Sequence, residues 1–210
     1  MKARQLTAQQ RVEAVEAIVI GASAGGVGAL LTLLSDLPES FCLPILIVLH
    51  LPPQHESRLN TVMETRLKRR VLEARDKEPI EPGTIYLAVP DHHLSVESDR
   101  SLSLSGEDPV CFARPSIDVL MMSAAEAYGP ALAGVLLSGA NIDGAVGLAF
   151  IKQQGGLTFV QDPAEAQVPT MPRSAIALLP PDFVLPLAGI RELLLTLGRE
   201  QEKKEPGVEP

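Results

Sequence analysis

The stretch Ala17-Ile-Val-Ile-Gly-Ala-Ser23-Ala-Gly-Gly26 decides the fold. Its first six residues are apolar without alternation. A strand with one wet face alternates apolar and polar residues, so an unbroken run implies cover on both faces. The run stops at a glycine-rich turn. Gly26 to Ser35 then places Leu30, Leu33 and Leu34 on one helical face. Buried strand, tight turn and helix in that order open an α/β domain with a parallel sheet.

The same alternation continues outward. Pro44–His50 (PILIVLH) is a second buried strand, Gln54–Arg70 a polar, Arg-rich amphipathic helix, and Val71–Ala74 a short strand. Thr84–Val89, His93–Glu97 and Ser101–Leu104 are short strands separated by Pro90-Asp91 and Ser98-Asp99. They predict a small antiparallel β element near residues 84–104. Pro115–Tyr128 is helical, with Pro115 in its first turn. Ala131–Ser138, Leu157–Gln161 and Phe183–Leu185 are strands. Asp143–Gln154, Met171–Leu179 and Ile190 to about Gly198 are helices. The expectation is one doubly wound α/β domain over residues 17–198, its mostly parallel sheet flanked by helices. A polar extension (1–16) precedes it and a flexible, charged tail (199–210) follows.

Composition removes several function classes. The 210 residues carry 18 basic and 26 acidic side chains, a net charge of −8. Such a chain repels phosphate backbones and anionic lipid. Aromatic residues make up 3% with no Trp, too few for stacking on single-stranded nucleic acid. Two cysteines, Cys42 and Cys111, do not make a disulfide framework and fit a reducing compartment. The start of the chain lacks a secretory apolar stretch, and no apolar run reaches membrane-spanning length. The expected location is the cytoplasm.

In open α/β sheets the crevice lies beyond the carboxyl ends of the strands. Three polar residues sit there: Ser23, His50 and Asp143. They are the parts of a nucleophile, base and orienting acid. Gly21-Ala22-Ser23-Ala24-Gly25 fits G-x-S-x-G between strand and helix, a sharp turn that pushes a hydroxyl outward. The following helix start offers free N–H groups for an oxyanion. The turn also reads as a helix N-cap or a phosphate-binding loop. His50 precedes Leu51-Pro52-Pro53, which ends the strand; taken alone it reads first as a plain strand-end histidine. Asp143, in Leu137-Ser-Gly-Ala-Asn-Ile-Asp143-Gly144, also reads as an N-cap. The order Ser, His, Asp differs from the Ser, Asp/Glu, His order of α/β-hydrolases, so any likeness to them is convergent.

Together these residues resemble the catalytic domain of the bacterial chemotaxis protein-glutamate methylesterase family. The resemblance runs from about Ala17 to about Ile190. It rests on IGASAGG (20–26), LHLPP (49–53), PGTIYLAVPDHHL (82–94), ARPSIDVLM (113–121), LLSGANIDGAVGL (136–148) and MPRSAI (171–176). It implies a mostly parallel α/β fold, with Ser23 as nucleophile, His50 as general base and acid, and Asp143 as orienting carboxylate. It implies hydrolysis of glutamyl γ-methyl esters on the cytoplasmic helical domain of chemoreceptors, with deamidation of receptor glutamines as a second activity. It implies no metal or organic cofactor. Backbone N–H groups near Ala24 and Ala140 are expected at the oxyanion. Arg114, Met171 and Arg173 are expected around the cleft, while Arg58 reads as a solvated surface cation.

The sequence departs from the family pattern in places. The strand before Ser23 starts near Ala17, so no receiver domain is expected ahead of it. Regulation would come from a response regulator or kinase in trans, or activity would be constitutive. Ala113 stands where relatives often carry His, Asn141 where they carry Gly, and Ala24 where many carry Thr. Asn tolerates left-handed backbone best after Gly, so the loop before Asp143 is expected to survive. These departures motivate a competing reading, a silent binding module of the same fold. A third keeps the triad but acts on a protein outside chemotaxis.

Overall fold

The computed structural model describes residues 8–50 and 59–202. His55, Arg58, the Leu51-Pro52-Pro53 segment and the start of the helix expected from Gln54 lie outside the described residues, as do 1–7 and 203–210. In chain order the elements are α1 (Ala8–Ala14), β1 (Ala17–Ala22), α2 (Gly26–Leu34), β2 (Ile45–Leu49), α3 (Leu59–Leu67), β3 (Val71–Glu73) and β4 (Ile85–Leu87). There follow β5 (His93–Val96), β6 (Leu102–Ser105), α4 (Ile117–Tyr128), β7 (Leu132–Leu136) and α5 (Ala145–Gln153). The chain then runs through β8 (Leu157–Gln161), α6 (Thr170–Leu178), β9 (Phe183–Leu185) and α7 (Leu187–Glu202).

Seven strands form one sheet in the order β3-β4-β2-β1-β7-β8-β9, every pair parallel. The doubly wound reading holds. β1, β2, β7 and β8 are buried along their whole length, as their unbroken apolar runs require. Alternate residues feed two cores. Ile18, Ile20 and Ala22 join the core under α2, α3 and α7, while Ala17 and Val19 join the core under α4, α5 and α6. At about 25 cal/mol per Å² of apolar surface removed from water, these two layers hold the domain together.

The winding reverses at β1. The chain builds outward to β2, β4 and β3 on one side, then returns to lay β7, β8 and β9 on the other. A crevice therefore opens beyond the carboxyl ends of β1 and β7. Among the described residues no helix is long and apolar enough to cross a membrane.

Several boundaries differ from the sequence reading. The antiparallel element is the hairpin β5–β6, with His93 opposite Ser105 and Val96 opposite Leu102. The first strand read into it, Thr84–Val89, instead joins the parallel sheet as β4 beside β2. Pro115 precedes α4 rather than opening it, because Ser116 is the N-cap, its Oγ accepting from the Val119 amide at 3.4 Å. Residues 199–202, assigned to the flexible tail, continue α7. Buried Ile190, Leu194 and Leu197 carry that helix, and Gln201 donates to the carbonyls of Glu13 and Val15. The amino-terminal extension is also docked: Val15 is buried, and Arg11 pairs with Asp182 at 2.9 Å.

Candidate active site

The ladders beside β1 continue one residue past its end. The Ser23 amide donates to the Ser138 carbonyl at 2.9 Å, and the His50 amide donates to the Ala22 carbonyl at 3.0 Å. Ala22 is in register with Leu49, so Ser23 and His50 are the next residues on adjacent strands. Both line one cleft of about 530 Å³, together with Phe112, Arg114, Ala140 and Ile142. Glycines make the close approach possible. A Cβ on Gly139 would lie 3.0 Å from the Ser23 Cβ and 2.6 Å from the Met171 Cε. Gly25, at φ 80°, turns the chain into α2 in the left-handed conformation that a side chain would resist.

Asp143 has no solvent exposure. Its Oδ2 accepts from His50 Nε2 at 2.9 Å and from the Ile117 amide at 2.7 Å. Its Oδ1 accepts from the Ser116 hydroxyl at 2.8 Å and from the Asp118 amide at 3.0 Å. Burial pushes its pKa up, but the bonds from His50, Asp118, Ile117 and Ser116 outweigh that and hold it below the usual carboxylate range. An ionised carboxylate only accepts, so the proton of a neutral His50 ring sits on Nε2. The lone pair is then on Nδ1. This ring orientation is the reverse of the Ser-His-Asp template in which the acid binds Nδ1.

The alternative for Asp143, the N-cap of its own helix, does not hold. The structure gives that place to Gly144, at φ 95°, and turns the carboxylate onto the amides that start α4. The favour is returned by a residue the sequence reading passed over. Asp118, in the first turn of α4, accepts from the Gly144 amide at 2.9 Å and the Gly147 amide at 2.7 Å, at the start of α5. Each carboxylate thus caps the neighbour's helix, where the partial positive charge favours an anion. Burial, helped by nearby Asp143, raises the Asp118 pKa to about 6 against the pull of the two amides. The sequence signal was faint: an acid on the helix face that also carries buried Ile117, Leu120 and Met121.

Ser138, likewise passed over, locks the loop. Its hydroxyl donates to the Ala24 carbonyl at 2.7 Å and accepts from the Val168 amide at 2.9 Å. Ala24 and Ala140 are exposed, and Ala140 lines the cleft. Among the described residues neither of their amides donates to another protein group.

Two other expectations need correction, those for Met171 and Arg173. Met171 is fully buried and packs under Gly139, because an unbranched thioether fills the gap a glycine leaves; it supports the loop rather than lining the cleft. Arg173 is exposed on α6 and is not among the cleft residues. Arg114 does line the cleft, but its guanidinium is engaged. It donates to Asp91 at 2.6 and 2.9 Å and to the carbonyls of Gly106 and Glu107. Among the described residues one group, Cys111, Asp118 and Asp143, has metal-like spacing. Its carboxylates already accept amide, hydroxyl and imidazole donors, so the group is a hydrogen-bond network.

Comparison with known proteins gives a consistent answer. A family model described as CheB methylesterase matches residues 18–194. A Leptospira interrogans protein provisionally named protein-glutamate methylesterase/protein-glutamine glutaminase is 47% identical over 184 residues, 88% of this chain and 95% of that one. The protein-glutamate methylesterase/protein-glutamine glutaminase 2 of Anaeromyxobacter dehalogenans is 39% identical over 199 residues, 95% of this chain but 58% of that protein. The crystal structure of the Thermotoga maritima CheB methylesterase catalytic domain superimposes with a TM-score of 0.82 at 33% identity. It covers 87% of this chain and 98% of that chain.

Proposed function

The chain belongs to the CheB methylesterase family, and from its site we propose that it hydrolyses glutamyl γ-methyl esters on proteins, with Ser23 as nucleophile, His50 as base and Asp143 as orienting acid. The observation that carries this is the His50 Nε2–Asp143 bond, 2.9 Å long, with Ser23 at the matching position on the adjacent strand and in the same cleft.

The steps follow from the groups. Ser23 Oγ attacks the ester carbonyl carbon while its proton passes to His50 Nδ1. Asp143 stabilises the imidazolium so formed and keeps its own charge. The amides of Ala24 and Ala140 receive the developing oxyanion; one such donor is worth about 3 kcal/mol of barrier in comparable hydrolases. Collapse breaks the C–O bond to methanol, which takes the proton from His50. Water, deprotonated by the same ring, then releases the glutamate carboxylate and frees Ser23. A glutamine side chain enters the same sequence with ammonia as leaving group, which makes glutaminase activity a second expected reaction.

The substrate in this reading is the cytoplasmic helical domain of methyl-accepting chemoreceptors, reached in the cytoplasm and regulated by a separate response regulator or kinase. The catalytic unit corresponds to residues 17–198. The test is methanol release from methylated receptor membranes. Wild type should release methanol and Ser23→Ala should lose it by at least about 10⁴-fold. Equal release by both, or none by either, would leave the binding-module reading in its place.

A further inference from the structure

At the mouth of the cleft a large apolar side chain is held out where it makes no contribution to the core. Cys111 and Phe112 are the two central residues of a tight turn. The Val110 and Ala113 amides and carbonyls exchange bonds across it, at 3.1 and 2.9 Å. Both central residues have positive φ, 50° for Cys111 and 61° for Phe112. Asn-Gly would adopt this type I′ geometry without strain, whereas a bulky aromatic side chain there is a backbone outlier. Phe112 gains nothing from it in the folded chain, for its relative exposure is 103%.

The surrounding structure holds the turn in place. Asn141 Nδ2 donates to the Cys111 carbonyl at 2.8 Å, and the same side chain's Oδ1 accepts from the amides of Ile142 and Asp143. The turn is thereby tied to the loop that carries the triad acid. On that loop Ile142, 58% exposed, is a second apolar side chain at the cleft. The charged side chain in the lining, Arg114, is engaged with Asp91 and with backbone carbonyls. Among the described residues, Phe112 and Ile142 therefore give this rim its exposed apolar surface, and its cation, Arg114, is already paired.

We infer that Phe112 is a specificity-determining residue that, with Ile142, grips an apolar side chain one helical turn from the ester on the substrate helix. This rests on the proposed methylesterase reading. The neutral methyl ester matches such a rim, and on a helix its neighbours across the surface are three or four residues away. Aromatic anchors at a contact's centre carry a large share of its affinity. Backbone strain kept at a functional site, without any folded-state return, fits that use.

The experiment measures kcat and KM on methylated receptor, and on p-nitrophenyl acetate, for wild type, Phe112→Asn and Phe112→Leu. Asn suits left-handed backbone, so the variant should fold with equal or higher thermal stability. On receptor, Phe112→Asn should raise KM by about five- to twentyfold with kcat within about twofold, and Phe112→Leu should restore most of the affinity. On the small ester all three proteins should agree. Receptor carrying Asp in place of the apolar residue three or four positions from the glutamate should raise KM for wild type but not for Phe112→Asn. An unchanged receptor KM in Phe112→Asn overturns this inference alone, as does an equal loss on the small ester. A wild type inactive on receptor overturns it together with the proposed substrate.

Discussion

The two walls of the cleft are built on opposite principles. On the acid wall, Asp143 and Asp118 are buried and accept hydrogen bonds from amides, a hydroxyl and the His50 ring. On the rim, Phe112 and Ile142 face solvent and touch little. The first wall fixes one proton position and one ring orientation, which a triad needs before substrate arrives. The second is left unsatisfied and finds its partner only on another molecule. Chemistry is preorganised in the helix starts, and recognition is placed on the turns they support.

The sharpest way to break this contrast is to disturb the acid wall. Asp143→Asn should lower kcat by about 10³- to 10⁴-fold, because an amide no longer enforces the proton on His50 Nε2 or stabilises the imidazolium. Steady-state methanol release checks it. A loss under tenfold would mean that the acid does not orient the base.

A smaller effect is expected from the glycine beside the nucleophile. In Gly139→Ala the new Cβ meets Met171 Cε at 2.6 Å and Ser23 Cβ at 3.0 Å. Displacing Ser23 by a fraction of an ångström should cost about 10- to 100-fold in kcat. Because the Met171 end is flexible, Met171→Ala should recover part of the loss in the double variant.

Smaller still is the consequence of pairing two buried acids. Asp118 holds its proton up to about pH 6 in the native state, above the ordinary carboxylate value, while the unfolded chain releases it earlier. Native stability therefore falls as pH rises from about 4 to about 6 and is flat above. Asp143 acts in the opposite sense. Its pKa is lowered, so its contribution is present at neutral pH and is lost as pH falls through the acid range. Asp118→Asn keeps an acceptor for Gly144 and Gly147 but loses the charge. Urea midpoints between pH 4.5 and 7.5 should slope downward for wild type up to about pH 6 and stay level for Asp118→Asn. Parallel curves would mean that Asp118 carries no raised pKa.

Much of this was legible in the sequence, for particular reasons. The runs AIVIGA and PILIVLH are buried on both faces, and unbroken apolarity records that directly. The positions of Ser23 and His50 followed from strand ends, because parallel neighbours finish at one edge. What failed depended on distant partners. Thr84–Val89 was grouped with the hairpin because Pro90-Asp91 looks like a local turn. Its true neighbours are β3 and β2, the latter some forty residues upstream. Asp118 is an ordinary first-turn acid until α5 is laid against α4. Met171 carried a family block but no sign that its methyl group fills the space above a glycine. The strain at Phe112 lives in two backbone angles that no side-chain pattern reveals.

The central claim is most directly tested by reacting the folded protein with a fluorophosphonate and locating the adduct by peptide mass spectrometry. One adduct on Ser23, abolished in His50→Ala, is the predicted result. A folded wild type that stays unlabelled, or carries its adduct on another residue, would contradict it.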